Sequence, residues 1–248
     1  EHYARSRRVY ALDLPGFGFS DRSPRDYTPR MYTDAVLDMV AEIAHDGQDA
    51  PVDALALSLS SEFLARAAAE QPDLFGSIAL ITPTGFGKRE QFYGPIGSTR
   101  GSTLVRQLFD VPLWSRPYFD LLSSKPSIRY FLKKTFGSYE AIDAGLAQYD
   151  HISAHQPDAQ HAPYAFISGL LFSADIDRIY EALDIPTWLA YGPKIEFSRF
   201  DDLGNVAGRP NWSITQFATG GLPQFEALAA FTAAYDTFLV QAAISRLA

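Results

Sequence analysis

An α/β fold, built on a mostly parallel sheet with helices on its faces and a helical insert, is the architecture this sequence predicts. Three observations carry it. Short apolar runs at 8–14, 52–57 and 77–81 alternate with stretches of helical periodicity. The region 86–183 then shows helical stretches and no buried strand. Beyond it the strand pattern resumes at 186–191 and 212–217. Strands separated by helices of this length imply crossover connections, and hence parallel pairing.

Taken in order, RVYALDL at 8–14 reads as a buried strand that ends in Pro15-Gly16-Phe17-Gly18, where the glycines allow a sharp exit. Tyr27 to Ala44 places Met31, Ala35, Met39 and Ile43 on one helical face, and Thr28-Pro29 supplies a cap followed by proline at the first helical position. Val52–Leu57 is the second strand, Glu62–Glu70 the helix after it, and SIALI at 77–81 a third strand. Ser127–Lys134 and Ala174–Leu183 are helical stretches within the next region. PTWLAY at 186–191 and WSITQF at 212–217 are strands again, and a helix over Glu226–Leu247 closes the chain. The expected division is a first core part over 1–85, a helical lid over 86–183 and a second core part over 184–248. No internal repeat or low-complexity tract appears.

Composition narrows the function classes. With 248 residues, 47% of them hydrophobic, the chain can bury a large core. A formal net charge of −8 and the lack of a basic run longer than Arg5-Ser6-Arg7-Arg8 argue against nucleic acid as a partner. The chain has no cysteine, which removes disulfides, thiolate metal sites and cysteine nucleophiles and fits a reducing, cytoplasmic setting. No apolar run reaches the ~18–20 residues of a membrane span. The sequence begins at Glu1, directly before a strand, so a targeting segment would lie outside it.

The chemistry concentrates in DALALSLSSEFLAR at 53–66, where an apolar run ends at Ser58 and a helix-forming stretch begins at once. Ala56-Leu57-Ser58-Leu59-Ser60 has the small-x-Ser-x-small pattern of a tight strand–nucleophile–helix turn, in which small residues two before and two after the serine are required. Together with VYALDLPGFGFSD at 9–21, PTWLAYGPK at 186–194 and TGGLPQFE at 219–226, this turn resembles the α/β-hydrolase superfamily, in particular its lidded esterase- and epoxide-hydrolase-like members. The similarity runs over nearly the whole chain. It implies that about three strands precede Glu1, among them the loop that donates a second oxyanion-hole N–H.

The same resemblance assigns roles and exposes departures. Ser58 takes the nucleophile's place and the Leu59 N–H that of an oxyanion donor. The last loop of the family usually reads Gly-His-x-Pro; here it reads Gly220-Gly221-Leu222-Pro223, with Gly221 where the histidine stands. Ile195 occupies the acid's usual position, and Glu196 follows it. The chain is therefore expected to be a divergent member with an incomplete Ser-His-acid triad. Glu196 is either a displaced acid or a cap for a helix over Ser198–Leu203; Asp201 and Asp202 are weaker candidates. Of the five histidines, His2 and His45 are read as solvated. His151, His155 and His161 fall in the lid region, and His161, before an apolar stretch, is the candidate base. His151 and His155 share a helical face but lack a third ligand, so no metal and no cofactor is expected. The aromatics Phe92, Tyr93, Trp114, Tyr118, Phe119, Tyr130, Phe131, Phe166 and Phe172 line an apolar pocket or form the lid's own core, core being the reading for most.

Three functions are open at this point. The first is hydrolysis of a small, largely apolar ester-like substrate by Ser58 with a non-standard base. The second is a catalytically impaired scaffold serving as a small-molecule receptor or binding module. The third is lyase or isomerase chemistry in which Ser58 only hydrogen-bonds the substrate.

Overall fold

The computed structural model describes residues 2–45, 51–87, 92–200, 203–204 and 206–246. Helix α1 (Pro29–His45) starts as expected, with the Thr28 hydroxyl accepting from the Met31 N–H at 3.2 Å. Strand β1 (Val52–Leu57) leads through Ser58 and Leu59 into α2 (Ser60–Glu70), and β2 (Phe75–Ile81) follows. Helices α3 (Thr103–Phe109), α4 (Ser115–Leu122), α5 (Lys125–Phe136), α6 (Ala144–Ala154), α7 (His161–Ile167) and α8 (Ile176–Ala182) separate β2 from β3 (Thr187–Tyr191). Strand β4 (Trp212–Gln216) precedes α9 (Pro223–Glu226) and α10 (Leu228–Ser245).

Among the described residues the sheet has four strands, all parallel, in the order β1-β2-β3-β4. Every residue of β2 and β3 is buried, which is why they read as continuous apolar runs instead of alternating ones. Their side chains nevertheless alternate between faces. Ile78, Leu80 and Leu189 join Leu64, Ala65 and Ala68 of α2 and Tyr180 of α8, whereas Ala79, Ile81, Trp188 and Ala190 join Phe231, Tyr235, Phe238 and Leu239 of α10.

Three expectations change. Residues 8–14 form no strand, and Val9 is 58% exposed. Arg7 pairs with Asp53 at 3.4 Å at the start of β1, and the Pro15 carbonyl accepts from the Tyr32 hydroxyl at 3.0 Å, so the segment is held at both ends. It does not pair with the outer edge of β1, which is itself unpaired among the described residues, and Leu55 on that strand is 47% exposed. Secondly, the closing helix is two helices, broken at Ala227 with φ −140°. The longer, α10, has 18 residues and is the one helix among the described residues long and apolar enough to meet the length and composition of a span, which is weak evidence for one. It lays one face on the sheet, burying Phe231, Tyr235, Phe238, Leu239 and Ala242 and leaving Leu228, Val240 and Ile244 exposed. Thirdly, of the nine aromatics named above only Phe119 is buried; Tyr93, Trp114, Tyr118, Tyr130, Phe131 and Phe166 are exposed. Short helices cannot bury several large rings at once, and Phe119 takes the place against Tyr164 and Ala159.

Candidate active site

Ser58 sits between β1 and α2 with φ +54°, a left-handed conformation that costs an L-residue about 1–2 kcal/mol. Local hydrogen bonds hold it there. The Ser58 N–H donates to the Ile81 carbonyl at 2.8 Å, and the Ser58 carbonyl accepts from the Ser61 N–H at 3.1 Å. The Ser60 hydroxyl donates to the Leu57 carbonyl at 2.6 Å, so the small residue after the turn also fastens it. Among the described residues none hydrogen-bonds the Ser58 hydroxyl, and none accepts from the Leu59 N–H. Leu59 precedes the first turn of an 11-residue helix, whose end carries a partial positive charge. A partly exposed hydroxyl beside an unpaired N–H at a helix start can attack a carbonyl carbon and receive the resulting oxyanion.

The next strand tip has the same kind of strain, which nothing in the sequence announced. Thr82, at the end of β2, has φ +46°, and for a β-branched residue that is a rare conformation. It is buried, takes the Ala190 carbonyl with its N–H at 2.7 Å and donates its hydroxyl to the Gly221 carbonyl at 2.7 Å. The loop after β4 is thereby tied to the sheet beside the Ser58 turn, and Leu222 packs in one cluster with Leu57.

The end of the Ile195 side chain stands beside Gly221. A Cβ added there would lie 2.5 Å from Ile195 Cδ1, and the Gly221 N–H donates to the Thr135 carbonyl of α5 at 2.7 Å. Gly220 is closed in by the backbone of Thr135 and Phe136, while its N–H and that of Leu222 are taken by the Glu226 carboxylate at 2.9 and 3.4 Å. The two departures noted in sequence thus meet in space: the side chain of Ile195 occupies the volume a side chain at 221 would need.

The other candidates are dispersed. Glu196 pairs with Lys133 and, at 3.1 Å, with Lys134, both on α5. Its hydrogen bonds to the two lysines hold its carboxyl below the usual carboxylate range. Residues 198–200 are not helical, so Glu196 caps no helix there, and Asp201 and Asp202 lie outside the described residues. His161 begins α7; its Nε2 lies 3.4 Å from the Gln160 amide nitrogen and 3.8 Å from Asp158. Ala162 and Ala165 of the same helix join Leu59 in one apolar cluster, which brings α7 over the start of α2. Among the described residues no hydrogen bond links Ser58 to an imidazole. His151 and His155 have ring centroids 4.1 Å apart on α6, each with Nδ1 against a backbone carbonyl, and no group of three metal-ligating side chains occurs among the described residues. His2 lies 3.6 Å from Asp236 and His45 is exposed at the end of α1.

Glu62, one turn after Ser58, has nothing in the sequence to mark it beyond its place in a helix. It is fully buried, and burial pushes its carboxyl up against the opposing pull of Arg100, Thr84 and Ser173. Only the burial of α2 on both sides reveals it, and no local sequence signal carries that.

A family model described as alpha/beta hydrolase fold matches residues 1–110. A search of curated proteins by sequence returns no match. Among solved structures, the chain is similar to a probable hydrolytic enzyme from Pseudomonas aeruginosa at 19% identity and a TM-score of 0.66, over 92% of this chain and 74% of that one. It is similar to a serine hydrolase from the polyaromatic-hydrocarbon-degrading bacterium Cycloclasticus zankles at 17% identity and a TM-score of 0.63, over 91% and 76%. It is also similar to a meta-cleavage product hydrolase from Pseudomonas fluorescens, at 14% identity and a TM-score of 0.64, over 92% and 78%.

Proposed function

From the premise that this chain has the α/β-hydrolase fold, we propose that it is a hydrolase acting through Ser58 on a small, largely apolar ester-like substrate. The observation that carries this reading is the strain at Ser58, φ +54° on a residue other than glycine, with neither its hydroxyl nor the following N–H paired among the described residues. Strained backbone persists where the surrounding structure over-determines it, and it clusters at functional sites. In this reading the Ser58 hydroxyl gives up its proton and attacks the carbonyl carbon, and the oxyanion forms against the Leu59 N–H. The intermediate then collapses by breaking the ester C–O bond, the alcohol leaving with that proton, and water hydrolyses the acyl-Ser58 ester to the free acid. The proton goes to a base outside the loop after β4. His161 is the candidate, because α7 covers Leu59, and Asp158 rather than Glu196 is the carboxylate beside it. Helices α3–α8 act as the lid over this site, and substrate enters as a neutral small molecule without a cofactor.

A second reading is favoured by one observation, the filling of the Gly221 position by Ile195. On that reading the scaffold binds a small molecule and does not turn it over. Labelling with a fluorophosphonate, read by intact mass with Ser58→Ala as control, separates the two. Stoichiometric labelling lost in the variant supports the hydrolase. A folded protein that takes no label overturns it in favour of the binding module.

A further inference from the structure

Two buried ion pairs leave the same face of α2, four residues apart. Glu62 accepts from Arg100 Nη2 at 2.7 Å, from the Thr84 hydroxyl, and from the Ser173 N–H at 2.7 Å. Arg66 makes a two-pronged contact with Asp175, at 2.7 and 3.3 Å, and Asp175 also accepts from the Gly97 N–H at 2.8 Å. Arg100 is further fixed, with its Nε donating to the Ser173 carbonyl at 2.9 Å and its guanidinium 3.5 Å above the ring of Phe92.

Gly97, Arg100 and Ser173 lie in one feature, which Asp175 directly follows. Residues 94–102 and 168–174 run antiparallel as a short stem, through Gly94 N–H to Ala174, Ala174 N–H to Ser98, Arg100 N–H to Phe172 and Ser102 N–H to Ser168, at 2.7–3.1 Å. Helices α3–α7 leave and return through this stem. Gly101 leaves no room for a Cβ against the backbone of Gly169 and Leu170, so the two arms touch. The stem therefore stands on α2, and Glu62 stands one helical turn from Ser58, whose carbonyl begins that turn.

We propose that Glu62 and Arg66 are positioning residues that hold the stem of the α3–α7 segment in fixed register with the turn carrying Ser58. A two-pronged charge-assisted pair and a carboxylate with three donors define direction as well as distance, and a single ion pair does not. The base of the segment cannot swing without breaking both pairs, so motion over the Ser58 site occurs beyond residues 102 and 168. The bearing on catalysis rests on the reading of Ser58 as a nucleophile; the anchoring itself does not.

Hydrogen exchange by mass spectrometry on the full chain tests it, with Glu62→Gln, Arg66→Gln and Arg66→Lys. In both glutamine variants, amides of 97–102, 168–175 and 57–62 exchange roughly tenfold faster or more, while β3 and α10 keep their protection. Arg66→Lys, which keeps the charge and loses the fork, falls between wild type and Arg66→Gln. Fluorophosphonate labelling of Ser58 slows in step with the exchange at 57–62. Unchanged exchange in the stem overturns the anchoring, and a loosened stem with 57–62 unchanged overturns the coupling to Ser58. Wild-type protein that takes no label sinks the hydrolase reading alone, and the exchange pattern still decides the anchoring. Should Glu62→Gln fail to fold, Thr84→Val removes one donor from the same carboxylate and is read the same way.

Discussion

The turn after β1 and the loop after β4 are neighbours at one end of the sheet, yet they treat side-chain space in opposite ways. At Ser58 the backbone is strained, and among the described residues neither the Ser58 hydroxyl nor the Leu59 N–H has a hydrogen-bond partner. At Gly220-Gly221-Leu222 all three backbone N–H groups are satisfied, and Ile195 fills the remaining volume. A partly exposed hydroxyl leaves its hydrogen bonds to solvent or a bound molecule, whereas the loop after β4 spends its backbone donors within the fold. On the proposed reading the side that carries Ser58 is open, while Ile195 stands where a side chain at 221 would go.

The largest effect that sharpens this contrast is Ser58→Ala. Hydrolysis of a p-nitrophenyl ester is expected to fall roughly 10³-fold or more, toward what binding and the oxyanion donor alone provide. Turnover that survives the substitution would break the open side of the comparison. Next in size is Asp175→Ala, which leaves Arg66 buried without its partner and lowers stability by about 3–5 kcal/mol in chemical denaturation. On the closed side, Gly221→His forces a side chain into Ile195 and is expected to cost about 1–3 kcal/mol by overpacking, with Gly221→His/Ile195→Ala recovering most of it. A neutral Gly221→His would mean that the loop is not packed shut. Smaller still is the difference between two substitutions at Ser58: glycine accepts φ +54° and alanine does not, so Ser58→Gly should exceed Ser58→Ala in stability by about 1 kcal/mol.

The smallest effect concerns Glu196. Its carboxyl is held below its ordinary range by Lys133 and Lys134, so its stabilising contribution is present above the unfolded-state pKa and is lost as pH falls through the folded one. Replacing Glu196 with glutamine should flatten the acid limb of a Tm–pH curve slightly and leave neutral pH almost unchanged. A marked loss of activity at neutral pH would instead return Glu196 to the proton relay.

Much of this arrangement is legible in the chain and some is not, for definite reasons. The runs at 77–81 and 186–191 announce themselves as strands because burial and composition agree along them, and 52–57 and 212–217 are read from composition although most of their residues are only partly buried. RVYALDL has the same composition and is no strand, since pairing depends on what lies beside it and not on its own residues. Ser58 is visible because a tight turn restricts its neighbours to small side chains. Thr82 carries comparable strain with no such restriction, and it is recognised only once its hydroxyl is seen on Gly221. That Gly221 and Ile195 both depart from the family is readable in sequence; that one fills the space of the other is a contact between residues 26 positions apart.

The stem between residues 94–102 and 168–174 also bears on how the chain reaches its folded state. Strand neighbours in the sheet follow chain order, but the β2-to-β3 excursion runs from Thr82 to Pro186, far longer than the turn and helix that join β1 to β2. Closing so long a loop adds roughly 1.5 kcal/mol of chain entropy over closing the shorter one. A preformed stem short-circuits that excursion: once its two arms pair, most of the intervening chain no longer counts as slack, and β3 is delivered to β2 by a much shorter effective tether.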